Sequence, residues 1–149
     1  MSSPALPSLW DRLLQSRGRS LDLLGLGECS LDRVLRLPGR LADLAALLTD
    51  TLSGGKLRAE SVARVGGGQI ATALCAASRL GLRTAFAGVV GDDSDGREIL
   101  AGLAEDGVDV GSAQVLPGVP TRTALILVDS QGERLVIEHR DPMLHPRPE

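Results

Sequence analysis

Short, nearly continuous apolar runs alternate along this chain with stretches that repeat their apolar residues at helical spacing. The runs LDLLGLGE (21–28) and RTAFAGVVG (83–91) are typical of strands buried in a parallel sheet. LDRVLRLPG (31–39) alternates polar and apolar residues before Pro-Gly, which predicts a half-exposed strand. VDVGSAQVLPG (108–118) is irregular or strand-like. The pattern therefore predicts at least two core strands and one more polar strand.

Three segments have the apolar spacing of helices. Residues 40–52 place apolar side chains on one face, and SGGK ends that segment. Residues 69–80 are rich in alanine and stop at Gly81. Residues 92–107 begin with acidic side chains, which the helix dipole favours, and Gly107 is a plausible C-terminal cap.

The segment TRTALILVDSQGERLVIEH (121–139) predicts a hairpin, because two β-rich runs flank the turn signature DSQG. This hairpin and the strand at 33–37 are polar on one side, so they are expected to form a separate small sheet. Alternating strands and helices elsewhere predict an α/β fold with a mostly parallel sheet. Residues 1–20 are interpreted as an N-terminal extension, either amphipathic or disordered, with a surface helix the favoured alternative. Residues 21–149 are interpreted as one domain.

Composition narrows the functional classes. With one Trp, one Phe, no Tyr and a net charge of −3, the chain has neither stacking platforms nor the basic charge for nucleic acid or anionic membrane. No apolar run is long enough to span a bilayer. Cys29 and Cys75 lack metal-site or disulfide spacing, which predicts reduced thiols in a cytoplasmic protein. His139 and His145 lack ligand partners at suitable spacing, so no metal site is expected.

The glycine triplet in VGGGQIATALCAASRLG (65–81) stands directly before a predicted helix. Such a turn could hold a ligand against exposed backbone N–H groups, or it could serve only a tight packing turn. A P-loop is excluded, because Gln69 and Ile70 stand where Lys and Ser or Thr are needed. GLGECS (25–30) lacks the third glycine of a dinucleotide fingerprint.

The segment GGQIATALCAASRLGLRTAFAGVVGDDSDG (67–96) resembles the N-terminal signature of the ribokinase-like (PfkB) carbohydrate kinases. GLGECSLDRVLRLPG (25–39) resembles the first strand of that family, and PTRTALILVDSQGERLVIEHRDPML (120–144) resembles its lid hairpin. The resemblance implies a ribokinase-like fold with a small β lid. Only the N-terminal portion of that fold is covered.

The resemblance also implies substrate-binding residues. Asp32 matches an aspartate that accepts hydrogen bonds from sugar hydroxyls, and Gly67 and Gly68 match a pair whose backbone lies against the sugar. The asparagine of the family helix is Thr72 here, so the resemblance does not by itself imply that the sugar is ribose or a plain hexose. Gln69 could supply the missing amide, or it could be a solvated surface side chain.

Other charged residues keep two interpretations. Arg140 could bind a carboxylate or phosphate of the substrate, or pair with Asp141 or Glu138. Asp92 and Asp93 are interpreted as helix caps, with a catalytic carboxylate pair as the less favoured alternative. Lys56 could face the site, with a surface position as the default interpretation.

The activity implied by the resemblance is ATP-dependent phosphoryl transfer to a sugar hydroxyl, with ATP and Mg²⁺ serving the complete enzyme. The family's Gly-Ala-Gly-Asp segment, whose Asp is the base, does not occur in the 149 residues, so no catalytic residue is assigned and the nucleotide site is expected to be largely missing. We expect this chain to be the inactive substrate-binding part of a sugar kinase. The alternative is a non-catalytic sugar-binding or dimerising module. Pairing of lid strands makes a homodimer plausible in either case.

Overall fold

The computed structural model describes residues 21–43 and 56–146. These residues divide into two units. The first unit contains residues 21–31, 66–122 and 140–146, and the second contains residues 32–43, 56–65 and 123–139. The predicted extension at 1–20 and most of the predicted helix at 40–52 lie outside the described residues, although 41–43 are helical.

Strands and helices follow one another along the chain in an α/β order. The strands are β1 Leu23–Gly27, β2 Ser30–Arg36, β3 Ser61–Gly67, β4 Thr84–Gly91, β5 Gln114–Leu116, β6 Thr123–Val128 and β7 Arg134–His139. The helices are α1 Gln69–Arg79 and α2 Ser94–Glu105.

The first unit contains a parallel sheet in the order β1-β4-β5. All eight residues of β4 are buried, as its uninterrupted apolar sequence predicts. Phe86 and Val90 of β4 pack with Leu74 of α1 and with Ile99 and Leu103 of α2 in one apolar cluster. The predicted parallel α/β core is therefore confirmed.

Strand β1 differs from its predicted burial. A Cβ at Gly25 would lie 2.6 Å from Leu74 Cδ1 and 2.7 Å from Ile70 Cγ2, so glycine lets α1 pack closely on this strand. Leu24 and Leu26 alternate with the glycines and point to the opposite face, where Leu26 is 56% exposed. This strand therefore buries one face only among the described residues.

The second sheet has the order β3-β2-β6-β7, and most of its residues belong to the second unit. Strands β6 and β7 form the predicted antiparallel hairpin. Asp129 holds its turn: this buried carboxylate accepts hydrogen bonds from the N–H groups of Gln131 at 2.8 Å, Glu133 at 2.9 Å and Leu41 at 3.0 Å. The hydrogen bond from Leu41 N–H lowers the pKa of Asp129; burial alone would raise this pKa, but the hydrogen bonds from Leu41 and from the turn N–H groups together outweigh it.

Strand β3 is absent from the sequence prediction. Its first six residues are exposed and only Gly67 is buried, so the sequence carries no alternation that would indicate a strand. Its extended state follows from pairing with β2, which is a tertiary effect.

Candidate functional site

The candidate site lies where strands of the parallel sheet end. Because β1 and β4 are parallel, their carboxyl ends meet at one edge, which is where ligands bind in open α/β sheets. Glu28 follows β1, and Asp92 and Asp93 follow β4. Helix α1 begins after Gly68.

Gly68 is the N-cap of α1 and has a backbone that other residues rarely adopt, with φ 97° and ψ 132°. A Cβ at this position would lie 2.6 Å from the carbonyl oxygen of Glu28 and 2.7 Å from the Cα of Cys29. No side chain caps the helix here. The protein's own backbone therefore requires glycine at position 68.

The other two glycines of the triplet belong to a strand. Gly66 and Gly67 are the last residues of β3, and only Gly68 borders the helix. Gly67 is buried, whereas a Cβ at Gly66 would meet nothing within 4 Å. The three glycines thus have three different environments.

Gln69 and Thr72 are both exposed near the start of α1. Their spacing of three residues puts them on neighbouring positions of the helix surface. The N–H of Thr72 donates to the carbonyl oxygen of Gly68 at 3.0 Å, which leaves its hydroxyl outside this backbone bond. The geometry brings Gly67, Gly68, Gln69 and Thr72 together within the first unit.

Asp32 lies in the other unit. It is the third residue of β2 and is half-buried. Arg33, which follows it, donates from Nη1 to the Thr123 hydroxyl at 2.5 Å, joining β2 to β6 inside that unit.

Arg140 pairs with Glu28 rather than with Asp141 or Glu138, which corrects the sequence-based alternative. Its Nη1 lies 2.5 Å from Glu28 Oε1, and Arg122 Nη1 donates to Glu28 Oε2 at 2.7 Å. One carboxylate therefore serves two guanidinium groups. Glu28 and Arg122 are not among the residues predicted from the sequence, although a charged residue directly after a strand-ending glycine is a usable signal for Glu28.

Asp93 is a helix cap, and Asp92 is not. Asp93 Oδ1 accepts from Gly96 N–H at 2.8 Å and from the Thr121 hydroxyl at 2.7 Å, and its Oδ2 accepts from Thr121 N–H at 2.8 Å. Partial burial alone would raise the pKa of Asp93, but these hydrogen bonds outweigh it and lower the pKa. Exposed Asp92 instead pairs with Arg97 at 3.0 Å.

The thiols of Cys29 and Cys75 are free, and burial raises the pKa of both. Cys29 is 1% exposed, and burial raises its pKa to about 12, so it is a poor nucleophile. Burial, followed by the Asp106 carboxylate, also raises the pKa of half-buried Cys75. Lys56 is exposed, as its default interpretation predicts.

Clusters of metal ligands and membrane-spanning helices are both absent from residues 21–43 and 56–146. No three or more His, Cys, Asp or Glu side chains are grouped there in a way that could hold a metal ion. No helix in these ranges has the length and apolar character needed to cross a membrane.

A family model described as "pfkB family carbohydrate kinase" matches residues 39–149, which is well over half of the chain. Fructokinase-1 of Oryza sativa subsp. japonica is 36% identical over 126 residues, covering 84% of this chain and 34% of that protein. Among solved structures, a PfkB protein from Polaromonas sp. JS666 has 25% identity and a TM-score of 0.66, over 85% of this chain and 37% of the other.

Arabidopsis thaliana ribokinase, solved with ribose and ATP, has the same fold, with a TM-score of 0.64 at 21% identity. This chain covers 36% of it. The chain spans about a third of the length of the relatives it matches, from 29% to 34% for the two Fructokinase-1 proteins of maize and rice.

Proposed function

Because this chain belongs to the pfkB family of carbohydrate kinases, we propose that it is the substrate-binding portion of an ATP-dependent sugar kinase and transfers no phosphate by itself. In the complete kinase, the γ-phosphoryl group of ATP would pass to a hydroxyl of the sugar. The observation that carries the proposal is the edge at which β1 and β4 end, where α1 presents its uncapped N-terminus beside Gly68. Backbone N–H groups there can donate to sugar oxygens.

We assign the contacts with the sugar as follows. The Asp32 carboxylate would accept hydrogen bonds from sugar hydroxyls, since an ionised carboxylate is an acceptor only. Backbone at Gly67 and Gly68 would lie against the sugar ring. Thr72 offers one hydroxyl where the family has an amide, and exposed Gln69 would supply the amide. Arg140 would use the donors that its pair with Glu28 leaves over.

The nucleotide and its Mg²⁺ fit poorly on the residues present. The sequence contains neither a P-loop nor a Gly-Ala-Gly-Asp segment, and the described ranges hold no cluster of metal ligands. Phosphoryl transfer depends on positioning and charge stabilisation, together with a residue that accepts the hydroxyl proton. In our proposal the remainder of the kinase supplies these groups.

Sugar binding by the chain itself tests this proposal. D-fructose and D-ribose are the probes, because relatives are named fructokinase and ribokinase. In titration calorimetry, Asp32→Asn should abolish the heat of binding, while Asp43→Asn, which removes an exposed carboxylate from the same unit as Asp32, should preserve it. Absence of binding by the parent chain, or equal binding by both variants, would contradict the assignment.

Catalysis provides the second test. The chain incubated with ATP, Mg²⁺ and either sugar should release no ADP. Separately, sequencing the coding DNA past Glu149 in all three frames should reveal a Gly-Ala-Gly-Asp segment. The protein restored from such a frame should then phosphorylate the sugar. ADP release by the chain alone would refute its inactivity.

The alternative function, a non-catalytic dimerising module, draws support from the β6–β7 hairpin. Leu125 pairs with Ile137 and Leu127 with Leu135, so four large apolar side chains share one face, and Ile137 is 53% exposed. Ile137→Glu should shift the chain from dimer to monomer in sedimentation velocity. Val136→Glu, on the opposite face of the same strand, should leave the dimer intact. Monomers at all concentrations for the parent chain would exclude this interface.

We place the protein in the cytoplasm. Both thiols are free, and cytoplasmic reductants maintain that state. Fractionation of cells expressing a tagged chain tests this location.

A further inference from the structure

The chain passes between the two units four times, after residues 31, 65, 122 and 139. The first-unit residues at three of these crossings are Leu31, Arg122 and Arg140. At the fourth crossing the chain enters the first unit at the Gly66–Gly68 segment. All four of these first-unit ends lead to the short connection formed by Glu28 and Cys29.

Side-chain contacts join two of the passages to Glu28. Each carboxylate oxygen takes one arginine, with Arg122 on Oε2 at 2.7 Å and Arg140 on Oε1 at 2.5 Å. Arg122 directly precedes β6, and Arg140 directly follows β7. Both ends of the hairpin are therefore fixed to one anion. Without that anion, the two like-charged guanidinium groups would repel each other.

Backbone contacts at the other two passages involve Arg122 and Gly68. Leu31 N–H donates to the Arg122 carbonyl oxygen at 3.1 Å. The Glu28 carbonyl oxygen and the Cys29 Cα lie so close to Gly68 that no Cβ fits between them. Cys29 itself is 1% exposed, so the connection is closed to solvent at this point.

Arg122 is also held from its other side. Its neighbour Thr121 is buried and bonded through both its N–H and its hydroxyl to Asp93. The Thr121 hydroxyl in turn accepts from Gly91 N–H at 2.9 Å. The hydrogen bonds of Thr121 thus fix the backbone next to Arg122, which reduces the conformational entropy lost when Arg122 pairs with Glu28.

We infer that Glu28 is a positioning residue whose carboxylate, by pairing with both Arg122 and Arg140, holds the two first-unit residues that flank the β6–β7 hairpin at one point. This inference concerns the first unit alone and stands whether or not the chain binds a sugar. Loss of the carboxylate removes its ion pairs with Arg122 and Arg140 and loosens the connection around Cys29.

Cys29 provides the measurement, because its thiol reacts with a disulfide reagent only when this connection opens. Cys75→Ser removes the only other cysteine of the chain. In that background, the rate of reaction with 5,5′-dithiobis(2-nitrobenzoate) at pH 8 is compared for the parent, Glu28→Gln and Asp22→Asn. Asp22→Asn is the matched control, since it breaks a two-pronged ion pair with Arg83 in the same unit.

Glu28→Gln should raise the Cys29 rate by about tenfold or more, as loss of charged hydrogen bonds implies. The increased rate should be nearly the same with and without low concentrations of urea, because a local opening exposes little surface. Asp22→Asn should not increase the rate. Raising KCl from about 0.05 to 1 M should accelerate the parent but not Glu28→Gln, because salt screens the ion pairs.

An unchanged Cys29 rate in Glu28→Gln would overturn the inference, and so would an equal, urea-dependent increase in both variants. If Glu28→Gln does not fold, Arg140→Gln replaces it. Arg140→Gln leaves the ion pair between Arg122 and Glu28 intact. The reaction rate of Cys29 should therefore rise less than in Glu28→Gln, and KCl should affect it in the same direction. No increase in Arg140→Gln would equally refute the anchoring role.

Discussion

Replacement of Gly68 by alanine separates packing from ligand contact as the reason for the glycine triplet. At φ 97° and ψ 132°, a residue with a Cβ pays about 1 to 3 kcal/mol in backbone strain. The added methyl would also meet the Glu28 carbonyl oxygen at 2.6 Å and the Cys29 Cα at 2.7 Å, and overpacking of this kind costs about 1 to 3 kcal/mol. Backbone atoms cannot swing aside as a flexible side chain would.

The opposing effect is small. A change from glycine to alanine restricts the unfolded chain, which stabilises by about 0.4 to 1 kcal/mol. Gly68→Ala should therefore reduce the free energy of unfolding by about 1 to 5 kcal/mol. Gly66→Ala is the matched control two residues away. Its Cβ meets nothing within 4 Å, so stability should stay equal or rise slightly.

Urea unfolding followed by circular dichroism measures both variants against the parent. For a chain of this size, the loss corresponds to a thermal midpoint lower by roughly 5 to 15 °C. Equal stability of Gly68→Ala and the parent would refute the packing argument. If that stable variant also lost sugar binding, contact with a ligand would be the reason for the glycine.

Three further predictions concern buried and charged groups of the first unit. Thr84→Val should leave stability unchanged or raise it by up to about 1 kcal/mol in urea unfolding, because the buried Thr84 hydroxyl has no hydrogen-bond partner among the described residues. A loss of stability in Thr84→Val would show that the Thr84 hydroxyl has a hydrogen-bond partner. Asp93→Ala should cost about 1 to 2 kcal/mol as a lost N-cap, whereas Asp92→Ala should stay within about 0.5 kcal/mol, and reversed effects would exclude the cap. Hydrogen bonds from Arg83 lower the pKa of Asp22 below its ordinary value of 3.8, so the stabilisation is complete above that pH and is lost as pH falls further. The difference between the urea midpoints of the parent and Asp22→Asn should therefore shrink as pH falls below 3.8, and a difference that grows in acid would contradict this sign.

The elements with strong local patterns were predictable from the sequence. Strand β4, helices α1 and α2, and the β6–β7 hairpin all lie within a few residues of their predicted ranges. Each carries its signal in neighbouring residues: an apolar run, a helical repeat with caps, or two β-rich runs around a turn. The resemblance to the ribokinase-like family is confirmed by the family match.

The features that depend on distant residues were not predictable. Strand β3 is extended because β2 lies beside it, and its own exposed residues contain no strand signal. The partner of Arg140 was sought among its neighbours, but Glu28 lies near the other end of the described chain. The roles of Asp32, Gly67, Gln69 and Thr72 in sugar binding stay predictions until a ligand is bound.

The pairing of β1 with β4 has a consequence for how the chain folds. The Asp22–Arg83 pair at the start of the two strands joins residues 61 positions apart, and the first of the two chain segments in the second unit lies within that span. Closing a loop of this length costs about 4 kcal/mol in its length-dependent entropy. During synthesis, β1 therefore leaves the ribosome before α1 and β4, and it cannot pair with β4 until that strand has been made. The leucines of β1 stay exposed to solvent until then. Folding of the first unit should be limited by this late, non-local step, and a rearranged chain that places β1 directly before α1 should fold faster.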